Sequence, residues 1–164
     1  MKKIFTLGLI SLLSLSCSKE DESTTTGTYI LTSITTDDAL DFNNDGVSSK
    51  NFILESGCPS DSKIILSENG SLIYQLQIAE VNLNNPGAVT NSYTSNCIEP
   101  SAFPGTWIEA GPNLIFTIEN SSEEFIKNGN TISFYGPDFI EYLENTNGTT
   151  VINSTGATVV FTKI

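Results

Sequence analysis

The sequence predicts an all-β domain, and three observations carry that expectation. Between Gly105 and Gly136, apolar residues recur with period two: Leu114, Phe116 and Ile118 alternate with Ile115, Thr117 and Glu119, and Ile132 and Phe134 with Thr131, Ser133 and Tyr135. That alternation marks strands with one buried face. Gly111-Pro112-Asn113 and Asn128-Gly129-Asn130 break the run as tight turns, since Gly and Asn tolerate positive φ. The composition agrees: Thr, Ser, Asn and Gly are abundant, while Ala and Lys are scarce. Such a meander is not stable alone and requires a second sheet, or closure into a barrel, over its apolar face.

The 164 residues suffice for one domain. There is no His, and all seven basic residues are Lys; against them stand 19 acids, for a net charge of −12. A polyanion of this kind is repelled by nucleic acid and by anionic membrane surfaces, and the acidity also serves plain solubility. No nucleic-acid partner is expected.

Residues 1–16 have the parts of an export signal. Lys2 and Lys3 are the positive end, and Ile4 to Leu15 form an apolar segment too short to span a bilayer as a helix. The stretch LSLSC at positions 13–17 resembles a bacterial lipobox. The resemblance implies that Cys17 becomes the first residue of the mature chain and carries lipid. The alternative is an ordinary cleaved signal with an incidental cysteine. Two or three acyl chains, at roughly 0.8 kcal/mol per buried methylene, anchor a protein to a membrane almost permanently. The acidic cluster that follows, Ser18-Lys19-Glu20-Asp21-Glu22, resembles the export tag of surface lipoproteins in the Bacteroidetes phylum; a solvated spacer reads equally well. Residues 17–26 are expected to be an acylated, disordered tether, and residues 27–164 the folded domain.

Within that domain, Gly27 to Thr36 reads as the first strand, rich in β-branched and aromatic residues. Asp37 to Gly46 reads as a polar turn. In it, Asp41, Asn43 and Asp45 followed by Gly46 match the opening of a calcium loop, although position 12 is Phe52, with Glu55 three residues on. An Asx-rich turn without metal fits the same residues. Asn51 to Glu55 suits either a strand or one helical turn. Ser62 to Ser67 and Gly70 to Ala79 form a hairpin about Asn69-Gly70, with Leu72, Tyr74, Leu76 and Ile78 on one face. Glu80 to Pro104, with three prolines, reads as a long loop, a lid or an edge, with a strand conceivable over Val89 to Ser95. Trp107, the single tryptophan, suits a plug at a barrel end better than a ligand contact. Strands over Leu114 to Glu119, Glu124 to Lys127 and Thr131 to Tyr135 make the meander. Pro137 to Thr150 reads as a loop, with a short helix conceivable at Phe139 to Leu143. Thr155 to Ile164 is the last strand; pairing with the first would close the sheet and remove its edges.

With Cys17 acylated, Cys58 and Cys97 remain, and outside the cytoplasm an even remainder usually pairs. A bridge closing about 40 residues stabilises by roughly 4 kcal/mol on the chain-entropy model.

Together the lipobox, Gly27-Thr28-Tyr29, the acidic loop at Asp41 to Gly46, Asn51 to Cys58, the Asn69-Gly70 hairpin and Cys97 before Gly105-Thr106-Trp107 resemble the lipocalin-like domain lipoproteins of Bacteroidetes. The resemblance implies an antiparallel up-and-down barrel of eight strands at the outer membrane, its interior able to hold a small apolar molecule. Leu72, Tyr74, Leu76, Leu114, Phe116 and Phe134 would line that interior. Small barrels are also filled by their own side chains, in which case the protein acts through its loops as a surface accessory or interaction protein. An enzyme is not expected: His, the commonest general base, is missing, and the adjacent pairs Asp37-Asp38 and Glu123-Glu124 point to opposite strand faces.

Overall fold

A computed structural model describes residues 24–58, 61–77 and 79–164. The export signal, the lipobox and Cys17 lie outside these residues. Eight strands close into an antiparallel barrel. In barrel order they are β1 (Gly27–Leu40), β3 (Lys63–Leu66), β4 (Ser71–Leu76), β7 (Ser101–Ala110), β8 (Asn113–Ile118), β9 (Ser121–Asn128), β10 (Thr131–Thr146) and β11 (Thr149–Lys163). The first and last strands close the cylinder, with Tyr29 opposite Lys163 and Thr36 opposite Ala157. A short β2 (Ser49–Asn51) borders β1, and one helical turn, α1 (Phe52–Ser56), follows it. The remaining strands, β5 (Ala79–Leu83) and β6 (Tyr93–Cys97), form a separate two-stranded ribbon.

The alternation read from the sequence becomes the barrel core. Leu114, Phe116 and Ile132 are fully buried, together with Tyr29, Ile64, Leu72, Val159 and Phe161. Phe125 lies tilted against Phe116 with centroids 4.3 Å apart and edge-on to Phe134 at 4.8 Å. Tyr74 meets Phe161 edge-on at 6.1 Å. Such offset and edge-to-face pairs contribute roughly 0.5–1.5 kcal/mol each beyond the area they bury. Gly105 sits where β7 runs against the Thr117 carbonyl of β8, leaving no room for a Cβ.

Four expectations are corrected. The first strand runs on through Asp37 and Asp38 to Leu40, because Thr36, Asp38 and their neighbours pair with β2 and β11. The hairpin strand stops at Leu76. Residues 80–104 are not a loop: β5, β6 and the start of β7 occupy most of them. Pro104 is tolerated because β8 reaches only Gly105, so residues 101–104 pair with β4 alone and form a local edge. Residues 137–150 form neither loop nor helix. A bulge between Gly136 and Ile140 absorbs Pro137, and β10 continues to a two-residue turn at Asn147 and Gly148, with φ of 53° and 77°.

The two ends of the barrel differ. At one, Thr24–Thr26, read from the sequence as the end of the tether, are fastened down. The Tyr29 hydroxyl donates to the Thr25 carbonyl at 2.8 Å. The Thr25 hydroxyl donates to Glu109 at 2.6 Å, and Lys127 reaches both Thr25, at 2.6 Å, and Glu109, at 3.0 Å. Lys163 donates to the Thr24 carbonyl. Trp107 packs on the core near this end, its indole N–H bonded to the Ser67 carbonyl at 3.1 Å. The opposite end carries α1, the ribbon and the protruding halves of β10 and β11.

Candidate functional site

The end opposite Thr24–Thr26 has a second core, built around Phe42. That ring is met edge-on by Tyr93 at 5.0 Å, Tyr142 at 5.3 Å and Phe52 at 6.1 Å, with Ile140 beside them. The Phe134–Phe139 contact at 5.5 Å joins this core to that of the barrel. Ala79, Val81 and Leu83 of β5 pack onto it from the ribbon.

Three attachments hold the ribbon. The Cys58–Cys97 disulfide ties its base to the segment after α1. Asn44 acts as a one-residue strand: its side-chain amide accepts from the Tyr93 N–H and donates to the Tyr93 carbonyl, both at 2.8 Å. At the tip, buried Asn145 accepts from the Gly87 N–H at 2.8 Å and donates to the Asn85 carbonyl at 2.8 Å, while its own N–H reaches Asn91 at 2.7 Å.

Between β5 and β10 these attachments leave a cleft of about 690 Å³. Its lining is mainly apolar, with Ile34, Leu76, Val81, Phe139 and Tyr142 prominent, and Glu80 and Glu141 are its charged members. That volume lies in the range of small-ligand sites, roughly 300–1,000 Å³. Burial, then the carboxylate of Glu144, raise the Tyr142 hydroxyl above the ordinary tyrosine range, with Asp38 adding to this. The same two causes, and Tyr142 after them, push Tyr93 up to about 12. Both rings are therefore neutral near the cleft at physiological pH.

The residues expected to line the barrel interior fall into two groups. Leu72, Leu114 and Phe116 are buried in the packed core, and Tyr74 and Phe134 are half-buried against it. Only Leu76 lines the cleft. Ile34, Phe52, Val81 and the Phe139–Leu143 stretch were missed in the sequence. The one available signal was that Phe139, Ile140 and Tyr142 are apolar within a segment otherwise rich in Asn, Asp and Glu.

Asp41, Asn43 and Asp45 are brought together, and their oxygens hold the loop's own amides. Asp41 accepts from Asp45 N–H at 3.1 Å and Gly46 N–H at 3.0 Å, Asn43 from Asp45 N–H at 3.0 Å, and Asp45 from Val47 N–H at 2.8 Å. Glu55, 2% exposed, accepts from the Phe42 N–H at 3.2 Å. Burial raises its carboxyl above the usual range; the amides of Asn43 and Phe42 oppose this, and Asp45 and Asp41 add to it. Among the described residues, no group of three or more His, Cys, Asp or Glu side chains is arranged to hold a metal ion. The loop's visible work is to present Asn44 to β6.

Comparison of the chain with protein-family models, with curated proteins and with solved structures found no match.

Proposed function

We propose that this chain is a lipid-anchored, lipocalin-like binding protein of the bacterial outer membrane, and that a ligand bound through its apolar groups sits in the end cleft while the barrel interior serves as a packed support. The carrying observation is the contrast between an interior filled by aromatic rings and an apolar cleft of about 690 Å³ at one end. The position of Thr24–Thr26 at the other end supports the tether. Seven Cα-to-Cα steps lead from Cys17 to Thr24, a reach of at most about 25 Å. Acylation at Cys17 would hold that end near the bilayer and turn the cleft away from it.

Two experiments test this reading. A hydrophobic dye should bind the mature chain saturably, and Val81→Trp, which fills the cleft, should abolish the signal without loss of strand content. Absence of saturable uptake would remove the binding function. Separately, Cys17→Ala should release the protein from the membrane fraction; retention there would remove the anchor.

A further inference from the structure

The cleft lies between two strand edges, and the register of each edge shows which backbone groups it exposes. In an antiparallel pair, residues alternate between bonding across the pair and pointing N–H and C=O away from it. Thr146 and Thr149 flank the two-residue turn as a bonded pair, so Asn145, Leu143 and Glu141 direct their backbone groups away from β11. The Asn145 N–H confirms this phase, since it bonds the Asn91 side chain. Beyond Ser133, β10 has no partner on that side, because β9 pairs only with Thr131 to Ser133.

The ribbon gives the same result. Asn84 N–H bonds the Ser92 carbonyl, and Tyr93 directs both backbone groups to Asn44. Leu83, opposite Tyr93, therefore points its own groups away from β6, as do Val81 and Ala79. Among the described residues, the backbone groups of Ala79, Val81, Glu141 and Leu143 make no bond across the cleft. All four residues line it. Asn145 closes the gap at the ribbon tip, so the cleft opens toward Ala79 and Phe139.

We propose that the cleft's ligand is an extended peptide segment in which apolar and basic side chains alternate, added as a strand along β10 between Phe139 and Leu143. This rests on the binding reading above and names its ligand class. An extended chain supplies the N–H and C=O groups that the exposed edge lacks, whereas a purely hydrocarbon ligand leaves that edge to water. Its side chains alternate with period two, so one set lies on Val81 and Tyr142 and the other faces outward. Among the described residues, Glu80 and Glu141 are the only charged side chains of the lining, which favours a cation there and disfavours a carboxylate. The five residues from Phe139 to Leu143 span about 14 Å, enough for four or five residues of a partner strand.

The test uses the mature chain, a synthetic hexapeptide of alternating Val and Lys, its Glu-for-Lys counterpart, and a Val-Lys version N-methylated at alternate residues. Calorimetry should show binding of the Val-Lys peptide and displacement of the dye. N-methylation should weaken binding at least tenfold, and the Glu peptide should not bind. Hydrogen exchange should show new protection at Glu141 and Leu143. The double variant Glu80→Lys, Glu141→Lys should reverse the preference between the Lys and Glu peptides. A cleft that takes up dye yet ignores every peptide would overturn this inference and leave the binding reading intact. Peptide binding without protection of those two amides, or equal binding of the Lys and Glu peptides, would also overturn it. If the dye does not bind either, the binding reading itself fails.

Discussion

The barrel interior and the cleft end are built from the same side-chain types and behave differently. In the barrel, Phe125 meets Phe116 and Phe134 with centroids 4.3 and 4.8 Å apart, closed in by strands paired along both edges. At the cleft, Phe139, Ile140 and Tyr142 sit on a strand paired along one edge only, facing a ribbon held at three points. The lesson is that strand pairing on both sides produces a dry, filled core, whereas a strand that outruns its neighbour leaves apolar surface that only a loosely attached element covers.

The largest effect should come from the barrel. Phe116→Ala should cost about 3–5 kcal/mol in denaturant unfolding, since it removes a fully buried ring from a closed core. Val81→Ala, in the half-buried ribbon, should cost about 1 kcal/mol. Equal losses at the two positions would erase the distinction between the regions.

Next comes the disulfide. Replacing Cys58 and Cys97 by Ser should cost up to about 4 kcal/mol. Limited proteolysis of that variant should cut first within 79–97, ahead of the barrel strands. Cleavage at the same rate in the barrel would mean that ribbon and barrel unfold as one unit. Asn145→Ala should cost about 1–3 kcal/mol, because it strands the Gly87 N–H and the Asn85 carbonyl. It should also widen the cleft at its closed tip, seen as weaker dye binding.

Alkali separates the regions less sharply. Burial, with Glu123 second, pushes Tyr74 of the barrel up to about 12, matching Tyr93 of the ribbon core. For a raised tyrosine, the stabilising contribution is complete below its ordinary value near 10 and disappears as pH climbs toward about 12. Phenolate absorbance should therefore lag that of the denatured chain, and unfolding should accompany its rise. Ordinary titration of both rings in the folded state would contradict their burial.

The smallest effects are expected in acid, with opposite signs at the two ends. The Thr25 hydroxyl, then Lys127, hold Glu109 below the usual carboxylate range, so its contribution is present above that range and lost as pH falls through the lowered value. Glu55 is raised, so its contribution is complete below the ordinary glutamate value and lost as pH rises through the raised one. Mild acid should loosen Thr24–Thr26 while relieving the loop at Phe42, the first effect being weakened by solvent screening at the part-exposed Glu109. Amide exchange at Thr26 and at Asn43 across that pH range measures both; shifts of the same sign would refute the assignment.

The amino-acid sequence by itself determined the strand class, the inward row Leu114, Phe116 and Ile132, and the Asn69-Gly70 hairpin. It did so because period-two alternation and Asn-Gly turns are local signals, set within a few residues. It also placed Cys58 and Cys97 as the even remainder. Tertiary structure alone decided that residues 80–104 form a ribbon, that β10 runs on through Pro137 to Thr146, and that the apolar surface open to a ligand lies at the barrel's end. Those outcomes depend on partners distant in the chain. Asn145 must find Gly87, Asn44 must find Tyr93, and the strand beyond the Gly136 bulge must find its match with β11. Polar residues of that kind read as loop in isolation, because the hydrogen bonds that fix them come from segments far away in sequence.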